Sequence, residues 1–581
     1  MDDLTQFFLN PQQPVHRRYE ILRALYVDDL SANEVAQKFE CSVHTVNAMR
    51  RDFKKAIRSG EHPTFFVSPR PGRKPRDNRD KLKELILSLR KQNYSILDIQ
   101  AALDTMGHKA SHDFIHRILV EDGFSRLPRR NVLEKRKGSV ARLAAPQTQS
   151  LDWDLDLGKT FHSERGIGLL TILPLSVRLK VHHWIEQAGY PETSELNRIQ
   201  TVLAFLALKL SGYERYSQDD LWAMDRSLGL FAGLNVLPKA STLSSYSYRV
   251  GREMNLSFLR AMQRTFENEG LFSGLFNLDF TAIPHWGDES VLENNWSGKR
   301  RQALKSILAV VCQDSDSGIF CYADAEVKHR NQPECVLEFV DFWRQEGSSP
   351  KCLIFDSKFT TYENLAKLDR DGIRFITLRR RGKKIIDQVE TLPPDRWQGV
   401  VLPDSSRKHR KLNLHESTVS LTKGGPTFRQ IVVTGHGRKR PAFILTNAWD
   451  WKPARIVGQY AKRWLVEKGI SEQIHFFHLN SVSSSIVVKV DFDLTMTAAA
   501  YNIYRSMALL LQGYEWETAK SLNTKFLSNG GSFKIEADRV IVSMKKKRHL
   551  PVLLQMLKQL GPTKIPWLGN RVVNFEAWSA S

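Results

Sequence analysis

Three acidic residues stand where a nuclease-type site would need them: Asp279 in LFNLDFTAIP, Asp356 in CLIFDSKF and Glu467 in QYAKRWLVEKGI. The first two close apolar runs that read as buried strands, and the third lies on a strongly helical stretch that also carries Tyr460 and Arg463. Breaking or exchanging a phosphodiester requires a nucleophile activated on one side of phosphorus and a leaving oxygen stabilised on the other, which two magnesium ions about 4 Å apart do together. Such ions prefer hard oxygen ligands, and carboxylates supply them; manganese could substitute. Asp279, Asp356 and Glu467 are therefore the candidate catalytic residues and the candidate metal ligands. With water as nucleophile such a site nicks DNA and leaves a 3′-hydroxyl. With that hydroxyl as nucleophile, the same site joins it to a second DNA.

Taken singly, each carboxylate has a plainer reading. A lone Asp at a strand end caps a turn, and a lone Glu on a helix faces solvent or pairs with a neighbour such as Lys462 or Arg463. The elements that carry them argue for a joint role. Leu275 to Phe280, Ser306 to Cys312 and Ile319 to Ala325 read as three strands, Cys335 to Trp343 as a helix, Cys352 to Asp356 as a strand, Tyr362 to Asp371 as a helix and Phe375 to Leu378 as a strand. The succession βββαβαβ is that of the ribonuclease H-like fold, in which the fourth strand enters parallel beside the first, so that Asp279 and Asp356 converge. From Lys383 to Thr446, short β-type runs with Gly and Pro turns and basic patches at Arg379–Arg381 and Arg407–Lys411 read as an inserted β-rich subdomain. Pro453 then starts one helix on which Tyr460, Arg463 and Glu467 fall at i, i+3 and i+7 on one face. His285, Trp286, Asp288 and Glu289 are weaker candidates, for a polar turn or for a substrate-contacting loop.

With these residues in place, the sequence resembles the bacterial insertion-sequence DDE transposases that carry a Tyr-x2-Arg-x3-Glu-x6-Lys signature. Tyr460, Arg463 and Glu467 match at the right spacings, and the resemblance runs roughly from Leu275 to Leu511. The last signature position falls on Ile474, so the end-contacting role of that lysine is vacant or passes to Lys468 or His475. The resemblance implies a core that binds two divalent ions and works in a transposon-end complex, with terminal repeats and target DNA as partners and a homodimer or higher homo-oligomer as the working form. Tyr460, Arg463 and Lys468 are then expected to contact the end, the guanidinium gripping a phosphate.

The 581 residues are too many for one hydrophobic core, and 41% apolar with 25% charged residues is ordinary globular balance, so several domains are expected. A net charge of +22 attracts a polyanion, nucleic acid first and an acidic membrane surface second. The start, MDDLTQFFLN, lacks the pattern of a leader, and the apolar run near Thr201 to Leu210 is too short to span a bilayer, so a cytoplasmic location is expected. Cys41, Cys312, Cys321, Cys335 and Cys352 show no paired spacing and read as reduced thiols.

Two small helical units precede the core. Ser31 to Glu34 is a capping box that starts a helix with Val35, Ala36 and Phe39, and Ser42 starts a second with Val43, Val46 and Met49 inward, which is helix-turn-helix spacing. His44, Thr45, Asn47, Arg50 and Arg51 then face outward, able to reach base edges and phosphates. A generic three-helix bundle with a charged face is the other reading. The plan repeats with a capping box at Ser95 to Asp98, a break at Gly107 and a helix from Ser111 that places His112, His116 and Arg117 outward. Between the units, Ser68 to Arg76 holds Arg70, Arg73, Lys74 and Arg76 among prolines, as in a minor-groove linker or a solvated basic hinge.

The expected organisation is 1–62 and 79–128 as all-α helix-turn-helix units joined by a basic linker at 63–78, a second linker at 129–159 and a helical middle region at 160–272. An α/β ribonuclease H-like core at 273–382 and 448–515 follows, with the β-rich insertion at 383–447 and a C-terminal region at 516–581. The expected function is metal-dependent DNA cleavage and strand transfer. The alternatives are an inactive, domesticated DNA-binding regulator and a nuclease without strand transfer.

Overall fold

Capping chemistry sets the N-terminal helices. In the computed structural model the described residues are 8, 10–60, 79–91, 94, 96–105, 108–122, 124, 155–193, 195–214, 222–284, 293–297, 302–402, 410–421, 425–437, 439–479 and 487–578. They form two compact units, Met1–Asp80 and Lys81–Ser581. The first holds helices Pro14–Tyr26 (α1), Ala32–Lys38 (α2) and Val43–Arg58 (α3). Glu34 N donates to Ser31 Oγ at 3.4 Å while Ser31 N donates to the Glu34 carboxylate at 2.8 Å, and Ser42 Oγ accepts from Thr45 N at 3.1 Å. These bonds satisfy amides that the first turn leaves over. Ile21, Leu22, Val35, Ala36, Phe39 and Val46 make the core. Val43, expected inward, is exposed; it opens α3 one turn ahead of the packed face.

Arg79–Lys91 (α4), all but its first two residues in the second unit, encloses with Ile96–Thr105 (α5) and His112–Glu121 (α6) a core of Ile86, Ile99, Leu103, Ile115, Ile118 and Leu119. Ser111 caps α6 through Phe114 N at 3.3 Å. Ser95, Gly107, the 61–78 linker and the basic hinge from Arg129 to Arg142 lie outside the described residues.

The middle region opens with a short strand, Thr160–Ser163 (β1), that the helical pattern did not announce. Ile172–Arg178 (α7), Val181–Ala188 (α8), Arg198–Leu210 (α9), Arg226–Phe231 (α10), Ala240–Tyr246 (α11) and Arg252–Asn268 (α12) follow. Thr201 to Leu210 is buried on every side of α9, and no described helix is long and apolar enough to cross a membrane. In the Tyr- and Ser-rich patch the hydroxyls bond back within the chain, Ser245 Oγ to Thr242 O at 3.0 Å and Ser247 Oγ to Ser244 O at 3.0 Å.

Next come Leu275–Pro284 (β2), Asn294–Ser297 (β3), Gln302–Asp314 (β4), Phe320–Val327 (β5), Cys335–Arg344 (α13), Cys352–Phe355 (β6), Tyr362–Arg370 (α14) and Arg374–Leu378 (β7). β2, β6 and β7 pair in parallel, and β4 pairs antiparallel to β2. The stretch expected as an inserted β-rich subdomain supplies a helix, Lys383–Glu390 (α15), and four strands, Gln398–Leu402 (β8), Arg410–Ser420 (β9), Thr427–Thr434 (β10) and Ala442–Thr446 (β11). These strands build no sheet of their own. β11 pairs antiparallel with β7, giving one ten-stranded sheet in the order β3-β4-β2-β6-β7-β11-β10-β9-β8, with β5 also on β4. The physical reason is burial: Phe443 to Thr446 is buried on both faces of the strand, as suits an interior place in a sheet.

Pro453–Ala461 (α16), Trp464–His475 (α17) and Val487–Leu510 (α18) return the chain to this sheet, and Ala519–Leu522 (α19) leads away. The single helix expected from Pro453 is thus two, broken at Lys462 and Arg463. The C-terminal strands Gly531–Ile535 (β12), Arg539–Met544 (β13), Lys564–Ile565 (β14) and Arg571–Ala577 (β15), with Leu550–Leu560 (α20), form a second sheet ordered β1-β12-β13-β15-β14.

Buried ion pairs tie the helical region to the core. Lys209 Nζ lies 2.9 Å from Asp493 Oδ2 and donates to Phe477 O at 2.9 Å, and Arg252 Nη1 lies 2.7 Å from Asp491 Oδ1. Removing one partner strands a buried charge, at a cost of about 3–5 kcal/mol. Asp493→Ala is therefore expected to lower the denaturation midpoint sharply, and Lys209→Met combined with Asp493→Leu to restore much of it. Equal midpoints for the single and double variants would refute that account.

Candidate active site

The site starts from strand register. Leu278 of β2 stands opposite Phe355 of β6 in the parallel pairing, and the next residue on each strand is Asp279 and Asp356. Two carboxylates thereby reach the same level of adjacent strands, Asp356 just past the end of β6 and Asp279 in the middle of β2, which runs on to Pro284 instead of closing at the aspartate as its sequence suggests. Asp279 Oδ1 accepts from Phe280 N at 2.9 Å, and Asp356 Oδ1 accepts from Ser357 N at 2.6 Å, capping the single turn Ser357–Phe359. Phe280 and Phe359 then stack face to face, 3.9 Å between centroids and 8° between planes, so residues just beyond the two aspartates hold β2 against the turn that follows β6.

Glu467 arrives on α17. At its joint with α16 the backbone tightens to i→i−3 bonds, Arg463 N to Tyr460 O at 3.1 Å, Leu465 N to Lys462 O at 2.9 Å and Val466 N to Arg463 O at 3.1 Å. The tightened turn aims Arg463 at the sheet. Its Nη1 donates to Asp279 Oδ2 at 2.5 Å and its Nη2 to Glu467 Oε1 at 2.7 Å. The guanidinium expected to grip a DNA phosphate is thus held by two carboxylates, as its i,i+4 spacing from Glu467 allows. Tyr460 is half-buried against the core with Ile354 and Ile376, and burial pushes its hydroxyl up to about 12. Lys468 is half-buried, and its charge acts on Glu472 one turn along α17. Ile474, at the last signature position, packs against the main core.

Burial pushes the Asp279 carboxyl up to about 6; Arg463 pulls it back, while the charges on Glu467 and Asp356 add to the rise. For Arg463 burial opposes the charge, yet Asp279, Tyr460, Glu467 and Asp356 outweigh it and the guanidinium is held more firmly protonated than usual. Among the described residues, no three His, Cys, Asp or Glu side chains stand together as a ready metal cluster, because Arg463 lies between Asp279 and Glu467. The donor set nonetheless fits divalent cations. When ionised, three carboxylates against one guanidinium leave negative charge over, and the donors are the hard oxygens that magnesium and manganese prefer.

A transposase DDE domain family matches residues 276–503, the span that contains all three carboxylates. Residues 276–503 are thus similar to a DDE-type transposase domain. A cryo-EM structure of the piggyBac transposase synaptic complex with hairpin DNA aligns at 11% identity and a TM-score of 0.31, over 63% of this chain and 82% of that one. No curated protein sequence matches.

Elsewhere in the chain, His44, Thr45, Asn47, Arg50 and Arg51 are all exposed along α3, and His112, His116 and Arg117 along α6. Asn47, Arg50 and Arg51 line an open cleft of about 610 Å³ together with Lys54, Lys55 and Arg58. The helical spacing Asn47, Arg50, Lys54 and Arg58 continues the same face beyond Arg51. Arg70, Arg73, Lys74 and Arg76, and the loop with His285, Trp286, Asp288 and Glu289, lie outside the described residues. Also missed were buried amides beneath α17. Asn277 and Gln313 are cross-strand partners, and both have side-chain atoms without a hydrogen-bond partner among the described residues, as does Gln473 on α17. The signal was present: Asn277 is a polar residue inside an apolar strand, two positions before Asp279.

Gly469 places α17 close to this layer, since a Cβ there would lie 2.9 Å from Gln313 Nε2 and 2.9 Å from the Phe320 ring. Gly469→Ala is expected to destabilise the fold by about 1–3 kcal/mol through overpacking, read as a lower denaturation midpoint; an unchanged midpoint would show that the layer yields. A second expectation concerns pH. With Asp279 raised from 3.8 to about 6, the folded protein keeps a proton that the unfolded chain releases between those values. Stability from this group is full below the lower value and is lost as pH rises through the higher one. Metal-free wild type should therefore lose stability relative to Asp279→Asn as pH rises from about 4 to about 7, and parallel curves would sink this assignment.

Proposed function

We propose that this chain is a transposase that cleaves and joins DNA with Asp279, Asp356 and Glu467, set in a ribonuclease H-like core of the bacterial insertion-sequence type. The observation that carries the reading is the position of Asp279 and Asp356 just past the last paired residues of the parallel β2 and β6, with Glu467 tied to Asp279 through Arg463. Magnesium or manganese ions held by the three carboxylates would activate the attacking oxygen and stabilise the leaving one.

The chain's own part is positional. Asp279 lies in β2 and Asp356 just past β6, and the Phe280–Phe359 stack clamps β2 to the turn that follows β6, so their carboxyls are preorganised. Glu467 sits on the more exposed helix, one turn from Arg463. Arg463 balances two carboxylates in the protein alone, and a phosphate entering the site competes for its donors. Tyr460 packs behind it, and Lys468 supplies a cation one residue beyond Glu467. The exposed residues of α3 and α6 are read as recognising the element's terminal repeats, with target DNA as the second substrate and a homodimer or larger assembly holding paired ends.

The test is incubation of the purified protein with a linear duplex ending in its own element's terminal repeat, with magnesium and then with EDTA. Metal-dependent cleavage at the element boundary is expected, followed by joining of the 3′-end to a second duplex. Glu467→Gln and Asp356→Ala should keep end binding while cleavage falls roughly a thousandfold or more. Specific binding without cleavage by the wild type would favour a DNA-binding regulator, cleavage without joining a plain nuclease, and equal loss of binding and cleavage in Asp356→Ala a structural role for that residue.

A further inference from the structure

We propose that the C-terminal module presents a second DNA-backbone surface, headed by the turn Lys545–Arg548 and continuing outward from the active-site helix α17. The proposal rests on the DNA-transposase reading and adds to it a second contact surface, separate from the helix-turn-helix units.

The first observation is composition. From Arg539 to Phe575 the chain carries eight lysines and arginines and no aspartate or glutamate. Lys545, Lys546, Lys547 and Arg548 are consecutive and exposed, and none is paired with an acid among the described residues. Adjacent like charges repel one another, and a polyanion relieves that repulsion.

The second observation is that the turn is held. Lys545 N donates to Gly530 O at 2.8 Å, Asn529 Nδ2 donates to Lys545 O at 3.0 Å, and Leu550 N donates to Lys547 O at 3.0 Å. Lys547 Nζ also donates to Ser528 O. A backbone already ordered presents its cations with little further entropy to lose on binding.

The third observation is continuity with the carboxylates. Five residues beyond Glu467 on α17, Glu472 accepts from Ala519 N at 2.9 Å, and exposed Lys520 follows. The segment then runs to Phe526, whose ring meets that of His549, while His549 Nδ1 lies 2.9 Å from the Tyr514 hydroxyl. Lys468, Lys520 and the Lys545–Arg548 turn are thus carried on segments linked in series, α17 to Ala519 by the Glu472 bond and Phe526 to His549 by ring contact. Phosphates of a duplex engaged at the carboxylates would meet this succession of cations.

The test uses the full-length protein in EDTA, so that cleavage plays no part, and two duplexes of equal length, one ending in the terminal repeat and one unrelated. Lys546→Glu with Arg548→Glu spares Lys545, which lies over the Trp578 ring, and Lys547. Binding is followed from about 50 mM to about 200 mM KCl. Each lost phosphate contact flattens the slope of log K against log salt by about 0.9, so a decrease of about 1.8 is expected. A decrease on both duplexes supports a surface for any duplex, target included, and a decrease on the repeat duplex alone supports one for the DNA flanking the element end. An unchanged slope on both overturns the proposal. If wild type shows no preference for the repeat, the end-binding reading fails, while a changed slope still supports this surface. Should charge reversal unfold the protein, Lys546→Gln with Arg548→Gln carries the same test.

Discussion

The site depends on a single register. Leu278 opposite Phe355 puts Asp279 and Asp356 at the same level of two parallel strands, and because side chains alternate along a strand, a slip of one residue would send one carboxylate to the other face of the sheet. Several constraints keep the register in place. Cys352 to Phe355 is buried throughout, so β6 has no solvent face to turn toward. β2 is matched to β4 from Phe276 opposite Asp314 through Pro284 opposite Ser306, which fixes the other side of the strand that carries Asp279. The stacked rings of Phe280 and Phe359 add a contact just beyond the paired region. These backbone pairings and apolar contacts together place the two carboxylates.

Glu467 depends on different physics, the approach of a helix to that sheet. Gly469 lets α17 come within van der Waals range of Gln313 and Phe320, and the tight turn before α17 brings Arg463 over Asp279. Between helix and sheet lie amides whose hydrogen bonds are incompletely filled, on Asn277, Gln313 and Gln473. Buried polar groups of this kind are costly when unpaired and specific when paired. The layer that sets the height of Glu467 is therefore mixed, with Asn277, Gln313 and Gln473 beside Phe320, Val466 and Ile470.

The difference between strand register and helix approach explains what could be read from the sequence. The strands that bear Asp279 and Asp356 announce themselves as apolar runs, and the acid that ends each run is conspicuous. The break at Lys462 and Arg463 is silent, because neither residue is a helix breaker and the i→i−3 tightening follows from tertiary contact. Arg463 with Glu467 was legible as an i,i+4 pair, but its bond to Asp279 joins residues far apart in the chain. Distance also hid the sheet membership of β8 to β11, whose strand character was visible, and the C-terminal sheet, in which β1 at Thr160 pairs with β12 at Lys534. Propensity and periodicity report local structure. They carry no information about which edge a strand will find.

Charge runs in opposite directions at the two scales. The chain as a whole is strongly positive, +22, and such a field draws DNA from a distance and is weakened by salt. At the site the sign reverses: Asp279, Asp356 and Glu467 outnumber Arg463, and the crowding shows in an Asp279 carboxyl pushed up to about 6. A phosphate brought there by the outer field would meet repulsion at the point of reaction unless further positive charge came with it. Arg463 cannot supply all of it, since its donors are divided between two carboxylates. Under the proposed function the carboxylates would keep the DNA backbone away from the reacting position until cations joined them, and the basic surfaces would do the holding.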